Sequence, residues 1–169
     1  FTRSKLIEVP PLNVTRKLSI GLASTLNNIG YYNSTKGYSA KALIYYKKSL
    51  TIQEELEDKE GVATSLNNIG SIYNKQGDIP NALEYYHKSL KIYNEIENKQ
   101  GLGQALNNIG NIYQDQNDPN LALEYFHRGL NIYKELGKKR AIATLLNNIG
   151  FAYFRKKNIP KSLKYYKRQ

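Results

Sequence analysis

Apolar residues in this chain come in paired stretches, each with the spacing of one helix face. Between positions 62 and 75, Leu66, Ile69, Gly70 and Tyr73 stand at i, i+3, i+4 and i+7, which lines them up on a single side of a helix. Gln76-Gly77-Asp78 interrupts the pattern. Asp78 suits a helix N-cap, and Pro80 falls in the first turn, where its missing N–H costs nothing. A second stretch then places Ala82, Tyr86, Ser89, Leu90, Tyr93 and Ile96 on one face and ends near Asn98. The pattern predicts two helices joined by a short turn.

The same hairpin recurs. Leu-Asn-Asn-Ile-Gly occupies 26–30, 66–70, 106–110 and 146–150, a period of 40 residues. Twelve residues beyond each glycine stands Ala42, Ala82, Ala122 or Ser162, and sixteen beyond it stands Tyr46, Tyr86, Phe126 or Tyr166. Asp118 with Pro119, and Asn158 with Pro160, repeat the cap-and-proline start of the second helix. A lone hairpin cannot bury its apolar stripe, whereas stacked copies share one continuous core. Gly30, Gly70, Gly110 and Gly150 each sit in mid-helix, where glycine costs about 1 kcal/mol relative to alanine. A cost repeated four times implies close helix approach, with the aromatic sixteen residues later filling the space.

On these residues the chain resembles the tetratricopeptide-repeat family. The resemblance rests on Leu66, Ile69-Gly70, Tyr73, Ala82 and Tyr86 and their equivalents, and covers about residues 20–169. It implies an all-α, right-handed superhelical solenoid of four antiparallel helical hairpins, with the first helix of each hairpin (helix A) lining a concave groove. The expected division is an irregular segment at 1–16, repeats at 17–58, 59–98 and 99–138, and a fourth repeat at 139–169 that is short in its second helix (helix B). Three features depart from the family pattern. The period is 40 rather than about 34 residues, the proline closing helix B is missing, and Asn33 replaces the helix A tyrosine in the first copy. The 40-residue form is similar to the repeats of Leu-Gly-Asn-rich spindle-orientation adaptors and of bacterial signalling proteins.

Function is expected on the groove side of helix A. The stripe opposite the apolar face is Ser24, Asn27, Tyr31 and Ser34 in the first copy, and Thr64, Asn67, Ser71 and Asn74 in the second. In the third it is Gln104, Asn107, Asn111 and Gln114, and in the fourth Thr144, Asn147, Phe151 and Phe154 beside Arg155. A carboxamide both donates and accepts, so Asn27, Asn67, Asn107 and Asn147 form a ladder able to hold the main chain of an extended peptide. Kinesin light chain and the sugar-transferring enzyme of nuclear proteins look similar in this respect. The competing reading is that one asparagine of each pair bonds a neighbouring helix, and that role is assigned to Asn28, Asn68, Asn108 and Asn148. Tyr31, Asn74, Asn111, Phe151, Phe154 and Arg155 complete the expected peptide site. Two adjacent aromatics suggest an apolar anchor on the ligand, or equally a packing face toward a further repeat.

Charge changes the picture only at one end. The net charge is +11, but ten of the 25 basic residues follow Glu135, the last acidic residue. The body is therefore nearly neutral, and Lys156, Lys157, Lys161, Lys164 and Lys167 form a separate basic patch. It could meet an acidic partner or nucleic acid, or simply be a solvated face. Phosphate binding needs several cations on one backbone and is steeply salt-dependent, so nucleic acid is an unlikely partner. The expected partner is a protein or peptide, with self-association through the chain ends as a further possibility. A structural or oligomerising spacer and a nucleic-acid-binding regulator fragment are the alternative functions.

Chemistry finds no foothold. There is no cysteine, and His87 and His127 are equivalent positions one repeat apart, about 10 Å by ordinary helix packing. No phosphate loop or nucleophile motif is present, so no enzyme activity, metal or cofactor is expected. No apolar run reaches the length of a membrane span, and a cytoplasmic location is the expectation. The chain starts at Phe1 and contains no methionine, which reads as a piece of a longer protein. Pro10-Pro11 forbids a continuous helix there, and Leu6–Leu12 is expected to be extended.

Overall fold

A computed structural model of the chain describes residues 12–167. Among them run eight helices: α1 (Leu12–Thr35), α2 (Ser39–Glu55), α3 (Lys59–Lys75), α4 (Ile79–Glu95), α5 (Lys99–Asp115), α6 (Pro119–Glu135), α7 (Lys139–Arg155) and α8 (Ile159–Tyr166). They pair as four antiparallel hairpins, α1 with α2 through α7 with α8, and each hairpin packs on the next. The all-helical repeat architecture is the one the 40-residue period implies. One boundary moves. α1 begins at Leu12, so residues 12–16, expected to be irregular, form its first turn. Leu6–Pro11, expected to be extended, lies outside the described residues.

The turns are one device used seven times. Each holds one residue with positive φ: Gly37, Glu57, Gly77, Glu97, Asn117, Gly137 or Lys157. The following N–H bonds back to a carbonyl five residues earlier, as Asp78 N to Tyr73 O at 3.0 Å and Asn158 N to Tyr153 O at 2.9 Å. This closure satisfies the last carbonyls of one helix. At five of the seven turns the side chain of that same residue then caps the next helix. Asp78 accepts from Asn81 N, Asp118 from Asn120 N and Leu121 N, and Asn158 from Lys161 N, which bears out the N-caps expected from the sequence. Asp58 and Asn98 do the same for α3 and α5. Stopping one helix and starting another within three residues is what keeps every copy in register.

Inside each hairpin the glycine faces the aromatic ring. A Cβ on Gly30 would lie 2.7 Å from the Tyr46 ring, on Gly70 3.0 Å from Tyr86, on Gly110 2.5 Å from Phe126 and on Gly150 2.8 Å from Tyr166. Tyr46, Tyr86 and Phe126 are almost fully buried. Burial pushes the phenols of Tyr46 and Tyr86 up to about 12, so they stay neutral at any physiological pH. Between hairpins the core is filled by Ile69 and Ile72 against Ala42 and Tyr46, and by Ile109 and Ile112 against Ala82 and Tyr86.

Gly110→Ala tests the contact directly. Alanine improves helix propensity by about 1 kcal/mol, but its methyl group would overlap a buried ring, and overpacking costs about 1–3 kcal/mol. The expected result of a urea titration is a net loss of stability, which Phe126→Leu in the same chain restores in part. A stability gain from Gly110→Ala alone would show that the ring does not set the helix spacing.

Candidate peptide groove

The row of helices that touches itself lies on the inside of the curve. α1 meets α3, α3 meets α5 and α5 meets α7, whereas no even-numbered helix meets another among the described residues. The odd-numbered helices therefore form the concave wall, as the family resemblance implies.

The asparagine pairs lie along this wall, and they bond to each other across repeats. Asn68 Nδ2 donates to Asn27 Oδ1 at 3.4 Å, Asn108 Nδ2 to Asn67 Oδ1 at 3.1 Å, and Asn148 Nδ2 to Asn107 Oδ1 at 3.1 Å. Asn148 also donates to Asn111 Oδ1 at 3.2 Å. Each bond joins the second asparagine of one copy to the first of the copy before it. At the start of the array Asn27 Nδ2 also donates to Ser49 Oγ and Ser65 Oγ, and Ser65 Oγ donates to Gln53 Oε1. Carboxamides thus serve as rivets between consecutive odd helices.

This geometry divides the expected ladder. Asn67 is 4% exposed and its oxygen is committed to Asn108, so it is a joint between repeats rather than a residue a peptide can reach. Asn27 and Asn107 are half-buried, and Asn147 is exposed. From sequence the joint falls to the second asparagine of each pair alone, whereas the bonds use both, the second donating and the first accepting.

The copy-specific residues stand clear of the joint. Tyr31 is 66% exposed, Phe154 54% and Phe151 37%. Phe151 and Phe154 lie with ring centroids 6.4 Å apart, and the Arg155 guanidinium sits 5.9 Å from the Phe151 centroid. Arg155 is held there by two hydrogen bonds to Asn117 Oδ1, at 3.2 and 2.7 Å. Asn74 and Asn111 are half-buried on the same side. A buried oxygen, Gln114 Oε1, has no hydrogen-bond partner among the described residues.

Tyr93, which periodicity places only on the apolar face of its helix, and Tyr133 also line this side. Tyr93, from the end of α4, has its hydroxyl 3.0 Å from Thr64 Oγ1, and Tyr133 donates to Gln100 O at 3.3 Å. Both rings reach the odd helices because glycine stands opposite each of them. A Cβ on Gly101 would overlap the Tyr93 ring, and one on Gly103 would lie 2.9 Å from Tyr133. A polar hollow of about 330 Å³ opens beside Tyr93, with Glu60, Thr64, Gln100 and Gln104 around it. The only sequence signal for it was the paired glycines of the third copy.

The basic patch is solvent-facing. Lys156, Lys157, Lys161, Lys164 and Lys167 are all exposed, and none forms an ion pair among the described residues. Lys156 Nζ donates to Asn120 Oδ1 at 2.6 Å and the Lys161 ammonium lies 5.3 Å from the Tyr153 ring centre. Also among the described residues, no three His, Cys, Asp or Glu side chains gather where they could hold a metal, and no helix is long and apolar enough to cross a membrane.

A solenoid of helical hairpins with a polar, aromatic-studded inner wall is an interaction scaffold by architecture. Two family models, both described as tetratricopeptide repeat, match residues 61–135 and 23–56. The chain belongs to the tetratricopeptide-repeat family. No curated protein sequence matches it. Among solved structures, BtubC (BKLC) from P. vanneervenii superposes with a TM-score of 0.79 at 22% identity, over 97% of this chain and 65% of that one. Aspartyl phosphate phosphatase F from Bacillus subtilis gives 0.86 at 16% identity, over 89% and 39%. The Rap conjugation gene regulator of plasmid pLS20, solved in complex with the Phr* peptide, gives 0.74 at 18% identity, over 99% and 47%. The chain thus spans between about two fifths and two thirds of the length of these structures.

Two outcomes are expected from this geometry. Asn67→Ala removes a buried rivet and strands the Asn108 amide, so it should lower unfolding free energy by about 1–3 kcal/mol. Asn28→Ala, at an exposed position, should stay within about 0.5 kcal/mol. Equal effects in a urea titration would refute the riveting role. The second outcome concerns pH. Burial lowers the imidazole pKa of His87 and of His127 below the ordinary 6.5, with the charges of Arg128 and Lys134 adding to the effect. The unfolded chain then binds more protons than the folded one below that value, so stability is present above pH 6.5 and is lost as pH falls through the lowered values. The melting temperature should drop between pH 7.5 and 5, and His87→Gln with His127→Gln should make that drop smaller.

Proposed function

We propose that this chain is a non-enzymatic scaffold that holds an extended peptide segment of a protein partner along its concave wall, as part of a larger signalling protein. The observation that carries this reading is the exposed cluster of Phe151, Phe154 and Arg155 on α7, at the inner end of the groove. Exposed aromatics with a fixed cation beside them make an anchor for an apolar side chain flanked by an acid. Asn147 and Asn107 supply main-chain partners, with Asn111, Asn74 and Tyr31 continuing the row, whereas Asn27 is bonded through both its carboxamide atoms and serves the wall as Asn67 does. Asn67 supports the wall from behind. The pLS20 regulator, a structure of the same fold, is named as a peptide complex, which supports a peptide as the ligand class. The basic patch, which forms no ion pair among the described residues, lies on the same hairpin and would favour acidic partners.

Selection of displayed random peptides against the immobilised chain at about 0.3 M salt, where exposed charge attraction is largely screened, tests the proposal. Enriched peptides should share an apolar residue next to an acidic one. Phe151→Ala with Phe154→Ala should weaken them by at least about tenfold, as expected for central aromatic anchors. Lack of any enrichment at that salt, or binding unchanged by the double substitution, would overturn the reading.

A further inference from the structure

The outer side of the solenoid carries a hollow that the concave groove does not reach. It opens between α4 and α6 with α5 beneath, and its volume is about 620 Å³. That size falls in the range of small-ligand sites, about 300–1,000 Å³. Its lining includes four aliphatic side chains, Leu90 from α4, Leu102 and Leu106 from α5, and Ile132 from α6. Its rim is cationic on both sides: Lys91 stands on α4, with the His87 imidazole beside it, and Arg128 faces them from α6. No acidic residue lines it.

We infer that this hollow binds a small amphiphilic anion, a carboxylate or sulfonate carried on an aliphatic or aromatic body. The apolar lining takes the body and the two-sided cationic rim takes the charge. The equivalent positions one repeat earlier support the assignment. Where the second copy has Lys91 and Asn94, the first has Thr51 and Glu54, so the same rim there loses a cation and gains an acid. The rim cations are available. Lys91 forms no ion pair and no side-chain hydrogen bond among the described residues. Arg128 lies 5.5 Å from the Tyr125 ring centre, which holds the guanidinium at the rim, and its one ion pair, to Glu124, is exposed and 3.8 Å long. Such pairs contribute little and give way to a better anion.

The experiment uses two probes with one aromatic body. The full chain is titrated with 8-anilinonaphthalene-1-sulfonate and with N-phenyl-1-naphthylamine, which lacks the sulfonate, and fluorescence is read. The sulfonate should bind and the neutral probe should bind much more weakly. Lys91→Glu with Arg128→Glu, both at exposed positions, should weaken the sulfonate by about tenfold or more, through loss of two favourable charges and gain of two unfavourable ones. Lys161→Glu with Lys164→Glu, which reverses the same number of charges elsewhere, should leave it unchanged, as should Phe151→Ala with Phe154→Ala. Circular dichroism of each variant checks the fold. Sulfonate affinity untouched by the Lys91 and Arg128 reversals, or equal affinity for both probes, overturns the site. So does competition for the hollow by an acidic peptide but not by dodecanoate, which would assign it to a protein partner instead. These readouts are independent of peptide capture on the concave side, so either assignment can fail alone.

Discussion

The contact on which the rest of the structure depends is a ring resting on a glycine. In every copy an aromatic from helix B lies where the side chain of a helix A residue would otherwise be. Removing that side chain brings the two axes close enough for a bulky ring to be buried without a void, and close packing is what the interior requires. Because the contact recurs every 40 residues, each hairpin has the same shape. Identical shapes stack by the same rotation, and the curve of the array follows from repetition alone. The mid-helix glycines look like weaknesses when taken singly. As a set they fix the spacing within all four hairpins.

A second constraint acts between hairpins. Leu, Ile and Tyr side chains fill the space between copies but leave sliding weakly opposed, because apolar contact is non-directional. The Asn–Asn bonds are directional. Each fixes one odd helix relative to the next at a single height, so the register of the stack is set by hydrogen bonds and its strength by apolar burial. The positions that would serve as a peptide ladder are therefore partly consumed by the architecture. Asn67 shows the conflict most clearly, since its oxygen can face a neighbouring helix or a ligand but not both.

The fold was legible because its signals are redundant. The Leu-Asn-Asn-Ile-Gly period, the caps at Asp78, Asp118 and Asn158, and the prolines after them all point to the same hairpin. The start of α1 was misread because Pro10-Pro11 bars helix at and before the prolines, yet says nothing of Leu12 onward, and proline is at home just ahead of a helix. The site was legible only in part. Neighbouring helix residues differ by about 100°, so Asn67 and Asn68 both sit near the boundary between groove and joint. Which of them turns inward depends on the curvature of the stack, a property no single repeat encodes. The contribution of Tyr93 and the outer hollow were invisible for a related reason. Both are assembled from different helices, by residues that no local spacing connects.

The division between shared and copy-specific positions carries the functional argument furthest. Residues that make the hairpin and the rivet are nearly identical in all four copies because their geometry is. At the position one turn beyond the first asparagine the copies differ, and the chain carries Tyr31, Ser71, Asn111 and Phe151. The same freedom on the outer rim gives Thr51, Lys91 and Asn131. The fourth copy is set apart by an exposed Phe151–Phe154 pair braced by an arginine that Asn117 holds in place. Exposed aromatic area invites aggregation unless something covers it, and the bracing of Arg155 fixes its charge beside that area. The inner wall is thus aromatic at its two ends, at Tyr31 and at Phe151 with Phe154, and polar between them, and it is this contrast on which the proposal of a chain held by its backbone and read at a side chain rests.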